Sequence, residues 1–137
     1  MKSSKQIVGN AGLFYVCYEF YELSKRGWNC LPTTRNAKGV DVVIYSQDAK
    51  KSYTIQVKAL SKRNPVPFGA KPNLIADFVV VVINVMDEEK LPEVFIIKAE
   101  DVKKRLHKGE KNGRVSYWLQ PKDYEEYKGK WEIIGDG

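Results

Sequence analysis

The chain has 137 residues, 43% hydrophobic and 12% aromatic, with 23 Lys+Arg against 17 Asp+Glu for a net charge of +6. That length fits one domain with a real core, which excludes disorder as the default, and the positive balance suits a polyanionic partner such as nucleic acid as well as simple solubility. Two cysteines and one His cannot complete a zinc set, and no apolar run reaches the ~18 residues of a membrane helix. Met1 to Lys5 lacks the apolar run of a secretion signal, so a reduced, cytoplasmic setting with no membrane partner is expected.

In chain order, Leu13, Val16, Cys17, Phe20 and Leu23 recur at helical spacing and predict a helix over 10–25. Gly9-Asn10 offers the cap, and Lys25-Arg26-Gly27 offers a cationic last turn with a left-handed stop. Trp28 to Leu31 reads as a short strand. Residues 40–46 and 52–59 read as two more, rich in β-branched residues and joined by the turn Gln47-Asp48-Ala49-Lys50. Residues 61–73, broken by Pro65, Pro67, Gly69 and Pro72, read as a long loop. The apolar run Phe78 to Ile83 predicts a strand buried on both faces. Val94 to Lys98 is a further strand, Ala99 to Lys108 a basic amphipathic helix, and 114–119 a late strand. A helical turn over 121–127 and a tail with Trp131, Ile133 and Ile134 packing back complete the chain. The order predicts one α/β domain spanning 1–137, with a core over about 9–120 and a sheet carrying helices on its faces.

The chemistry sits in the hairpin of residues 40–59. A turn centred between Asp48 and Ala49 sets Asp41 opposite Gln56, and opposite residues of an antiparallel pair share a face. Lys58, two residues past Gln56, shares it too. A carboxylate and an amide oxygen are hard ligands suited to Mg2+, and a neighbouring ammonium stabilises charge building on a phosphate. The bland alternative is a surface ion pair of Asp41 with Lys58, worth ~0–1 kcal/mol.

Three segments in this order resemble the PD-(D/E)XK nuclease superfamily, in its restriction-endonuclease-like and Holliday-junction-resolvase-like members. They are the opening helix with Gly9-Asn10-Ala11-Gly12-Leu13, then Gly39-Val40-Asp41 entering a strand, then Ile55-Gln56-Val57-Lys58, a Q-x-K form of the (D/E)-x-K half-motif. Ala76-Asp77-Phe78 opening a strand is a weaker fourth. The resemblance implies a central mixed β-sheet flanked by helices and Mg2+- or Mn2+-dependent hydrolysis of phosphodiester bonds in DNA. It implies that Asp41 is the main metal ligand, that Gln56 and the Val57 carbonyl add contacts, and that Lys58 is the catalytic lysine. Relatives often carry a Glu where this chain has Leu13. Glu19, further along the helix, matches a second Glu of similar sequences and is the candidate replacement. Arg35 and Lys38 before Asp41, with Lys62, Arg63 and Lys71 after Lys58, are the candidate phosphate contacts. Many relatives work as dimers because one site cuts one strand, so a second copy is a further expected partner. The alternative function is a catalytically impaired nucleic-acid-binding module on the same fold.

Overall fold

The computed structural model describes residues 4–33 and 38–137. The chain opens with helix α1 (Lys5–Tyr18), which leads through a tight turn into the single turn α2 (Tyr21–Ser24). The start differs from the predicted one. Ser4 caps the helix by accepting from the Ile7 N–H at 3.2 Å, so the chain is helical well before Gly9-Asn10. Gly12 is tolerated inside the helix because α1 lies so close to the sheet there. A Cβ on Gly12 would fall 2.3 Å from the Ala59 Cβ. Gly27 ends the helical segment at φ 91, the left-handed conformation that favours glycine.

A five-stranded sheet follows from β1 (Trp28–Pro32), β2 (Val42–Ser46), β3 (Ser52–Ala59), β5 (Phe78–Ile83) and β6 (Glu93–Lys98), side by side in that order. It is mixed: β3 and β5 run parallel, and the other neighbours run antiparallel. The six residues of β5 are all buried, as a strand covered on both faces requires. A second, three-stranded sheet holds β4 (Val66–Gly69), β8 (Arg114–Leu119) and β7 (His107–Lys111), in that order. The fold is α/β.

Two of these strands correct the sequence reading. The predicted loop over 61–73 contains β4, whose Val66 and Phe68 are buried while Pro67 and Gly69 face out. The predicted helix over 99–108 stops early: α3 spans Ala99–Arg105, and Lys108 stands on β7. The turn Asn112-Gly113 has φ 53 and 75, the double left-handed turn that joins tight hairpins, and it ties β7 to β8.

The main sheet separates two apolar layers. On one face Val42, Ile44, Ile55, Phe78, Val80 and Val82 pack with Val16, Phe20 and Leu23 of the opening helical segment and with Trp131 and Ile134 of the tail. On the other, Val79, Val81 and Ile83 pack with Val66 and Phe68 of β4, Leu119 of β8, Val102 of α3 and Tyr124 of α4 (Pro121–Tyr124). Alternation along β3 and β5 assigns each side chain to one layer or the other.

Candidate active site

The hairpin register is the one the turn predicts. Val42 pairs with Ile55 and Ile44 with Tyr53, which continues to Asp41 opposite Gln56. Asp41 itself stands one residue before β2, and its backbone is held on both sides. Its N–H donates to the Ile55 carbonyl at 2.8 Å, and its carbonyl accepts from the Thr33 N–H at 2.9 Å. Gly39, two residues earlier, takes φ 73 against Ile75, where any side chain would be both strained and crowded.

The Asp41 carboxylate replaces a ladder carbonyl. The Val57 N–H donates to its Oδ2 at 2.7 Å. In an antiparallel pair the N–H and carbonyl of one residue point toward the same neighbour. The Val57 carbonyl is therefore directed to the β2 side of β3, beside the carboxylate. Among the described residues no hydrogen bond is seen at Oδ1.

Gln56 and Lys58 pair laterally with Val79 and Val81, so they lie on the sheet face covered by the small sheet. Both are half-buried. The Lys58 Nζ sits 5.0 Å from the Phe68 ring centroid, a cation–π contact contributed by β4. Phe68 is a site residue the sequence reading missed, because its strand lies between prolines. Its one legible signal is the alternation Val66-Pro67-Phe68-Gly69.

Electrostatics tie the pair together. Burial pushes the Asp41 carboxyl above the usual carboxylate range, against the pull of the Val57 N–H and of Lys58. Burial draws the Lys58 ammonium below the usual lysine range, against the pull of Asp41. Each charge acts on the other, yet the two form no ion pair within 4 Å among the described residues. The bland reading of a closed Asp41–Lys58 salt bridge is thereby set aside. The arrangement is a half-buried acid and a half-buried base held apart on one face.

Glu19 is not brought to them. It caps the C-terminus of α1, which packs on the opposite face of the sheet. Burial and the neighbouring Glu22 raise its carboxyl, and Asp41 is not among the charges that act on it. Leu13 packs into the apolar layer on that same face. Asp77 has a scaffolding role: its carboxylate accepts from the Thr54 N–H at 2.9 Å, and its own N–H donates to the Thr54 carbonyl, joining β5 to β3. Among the described residues no three His, Cys, Asp or Glu side chains gather as a metal cage. The oxygen donors that the hairpin places together are the Asp41 carboxylate, the Gln56 amide and the Val57 carbonyl, a set that fits a hard cation completed by water and phosphate.

Of the candidate phosphate contacts, Lys38, Lys62 and Lys71 are exposed. Arg63 is committed to Glu125 at 2.5 Å. Arg35 lies outside the described residues.

No protein-family model and no curated protein matches this chain. Its fold is similar to that of a bacterial homing endonuclease. The solved structure of that protein, I-Ssp6803I, superposes with a TM-score of 0.61 over 97% of this chain and 92% of its own, at 14% sequence identity. At that identity the likeness is one of fold. Among the described residues no helix is long and apolar enough to cross a membrane.

Proposed function

We propose that this protein is a PD-(D/E)XK-type nuclease that hydrolyses phosphodiester bonds in DNA with a divalent cation. The observation that carries the reading is the pairing of Asp41 and Lys58. They are half-buried, electrostatically coupled and unbridged, on the face reached by the Gln56 amide and the Val57 carbonyl. The fold likeness to a homing endonuclease supports it as analogy.

Asp41 through Oδ1, the Gln56 amide oxygen and the Val57 carbonyl would hold Mg2+ or Mn2+. A bound cation there supplies charge neutralisation at the phosphoryl oxygens and a lowered pKa for a coordinated water. The protein's own groups do the rest. The Val57 N–H fixes the carboxylate in one orientation, so Oδ1 is presented without a search over rotamers. Phe68 holds the Lys58 ammonium over the same face, where it stabilises charge developing on the scissile phosphate. Lys38, Lys62 and Lys71 contribute sequence-independent phosphate contacts.

The test is metal-dependent cleavage of duplex, junction and single-stranded DNA by purified protein. Cleavage with Mg2+ or Mn2+ is expected, with Lys58→Ala lowering the rate by ~10²-fold or more and leaving the far-ultraviolet spectrum unchanged. Cleavage that survives this substitution removes Lys58 from the chemistry. A second reading, a non-catalytic nucleic-acid-binding module, is favoured by one observation: among the described residues no group of three His, Cys, Asp or Glu side chains forms around Asp41. It predicts salt-sensitive DNA binding with no cleavage under either metal.

A further inference from the structure

The outward face of α1 carries large apolar side chains that the other described residues leave exposed. Among the described residues, Ile7 is 51% exposed, Phe14 69%, Tyr18 69% and Tyr21 50%. Ile7, Phe14 and Tyr21 are seven residues apart, with Ala11 and Tyr18 between them. The resulting 4-3-4-3 spacing is that of a seam between two helices. It is no overflow of the core, because the opposite face of the same segment buries Gly12, Val16, Phe20 and Leu23. The stripe is also ordered. Tyr15 and Tyr18 rings lie 5.8 Å apart, Tyr18 and Tyr21 rings 6.2 Å apart, and the Lys25 Nζ sits 5.1 Å from the Tyr21 ring. Tyr21 stands on α2, past the turn at Glu19 and Phe20, and its ring meets that of Tyr18 across this turn.

We propose that this stripe seats a second copy of the same chain, with the two α1 helices antiparallel about Phe14. The stripe is close to its own mirror in sequence. Turned end for end about Phe14, it lays Ile7 against the partner's Tyr21 and Phe14 against the partner's Phe14. The large Tyr18 then faces the small Ala11 and the amide of Asn10. A two-fold pairing requires this self-complementarity. No charged residue lies on the stripe between Ile7 and Tyr21, so closing it desolvates no ion, and the helix dipoles oppose favourably. Tyrosine suits such a surface, since it brings apolar area with a hydroxyl that bonds at the rim.

Area fixes the strength. With aromatic side chains at 150–250 Å² each, the four exposed fractions leave roughly 400–500 Å² per copy. That is as large as the biggest apolar patch on an ordinary monomer. Two such patches with their polar flanks total on the order of 1,000 Å², the lower bound of a specific interface, so the dimer is reversible. The pairing does not depend on the nuclease reading. Where that reading holds, it supplies one site for each strand of a duplex.

Sedimentation of the full chain over a concentration series tests it. The expected result is a concentration-dependent rise from one to two times the 15.7 kDa chain mass. Phe14→Glu and Tyr18→Glu should each hold the protein at monomer mass with an unchanged thermal melt. Leu91→Glu, at a residue 83% exposed outside the stripe, should dimerise like the parent. A parent chain that stays monomeric at every soluble concentration overturns the proposal. So does a dimer that survives both stripe substitutions, or a monomer whose stripe binds a different macromolecule instead.

Discussion

At the scale of single residues, the site holds two groups in ionisation states that its surroundings disfavour. Asp41 has its pKa raised by burial, so its favourable contribution to stability is complete below the unfolded value and is lost as pH rises through the folded one. Lys58 has its pKa lowered by burial, so its contribution is complete above the unfolded value and is lost as pH falls through the folded one. Both contributions are missing between the two folded pKa values, around neutral pH. A bound cation and a phosphate would relieve this tension, which is the usual relation between a site and the stability it costs. The double variant Asp41→Asn/Lys58→Met is therefore expected to melt a few °C above the parent near neutral pH. Asn still offers an oxygen to the Val57 N–H. The gain should shrink toward acid, where Asp41 protonates, and toward alkali, where Lys58 deprotonates. Melting curves across pH check this, and a gain that stays flat with pH would contradict the assigned electrostatics.

At the scale of elements, the seat of α1 on the sheet depends on how closely it approaches β3 at Ala59. Gly12 permits that approach, since a methyl there meets Ala59, the residue next to Lys58. Gly12→Ala should cost about 1–3 kcal/mol as α1 is pushed off the sheet. Ala59→Gly should recover part of that loss, giving a coupling of ~0.5–3 kcal/mol in a double-mutant cycle by urea unfolding. Additive effects would mean that the two elements do not press on each other.

The same elements show what the sequence made legible. The hairpin of β2 and β3 has strong alternation on both sides of a short turn, so its register, and with it the shared face of Asp41, Gln56 and Lys58, follows from counting. Glu19 could not be placed that way, because its distance from Asp41 depends on which sheet face α1 covers. The β7 strand, His107-Lys108-Gly109-Glu110-Lys111, has almost no apolar content and follows basic helical residues, so periodicity extends the helix over it. Asn112-Gly113 carried the one local signal against that extension. In β4, the prolines hide a pairing to β8 that lies about fifty residues away in the chain.

At the scale of the whole molecule, the sheet divides labour between its faces. Asp41, Gln56 and Lys58 belong to the layer that β4, β8 and α4 cover, while the tail completes the layer under α1. Trp131 is 3% exposed within that second layer, and the tail is fastened further by the Trp28 Nε1–H donating to the Gly135 carbonyl at 2.8 Å and by the Gly137 N–H donating to the Arg26 carbonyl. Trp131→Ala should therefore destabilise the protein by about 3–5 kcal/mol, the range for emptying a buried Trp site. Because Trp131 packs in the layer opposite Asp41, the same variant should, where the proposed nuclease reading holds, keep the parent's cleavage rate at temperatures well below its lowered melting point. Denaturant titration and a cleavage assay on one preparation check both halves. A rate that fell with the Trp131 substitution in a still-folded protein would show the two faces to be mechanically coupled, and would make the tail part of the site instead of its support.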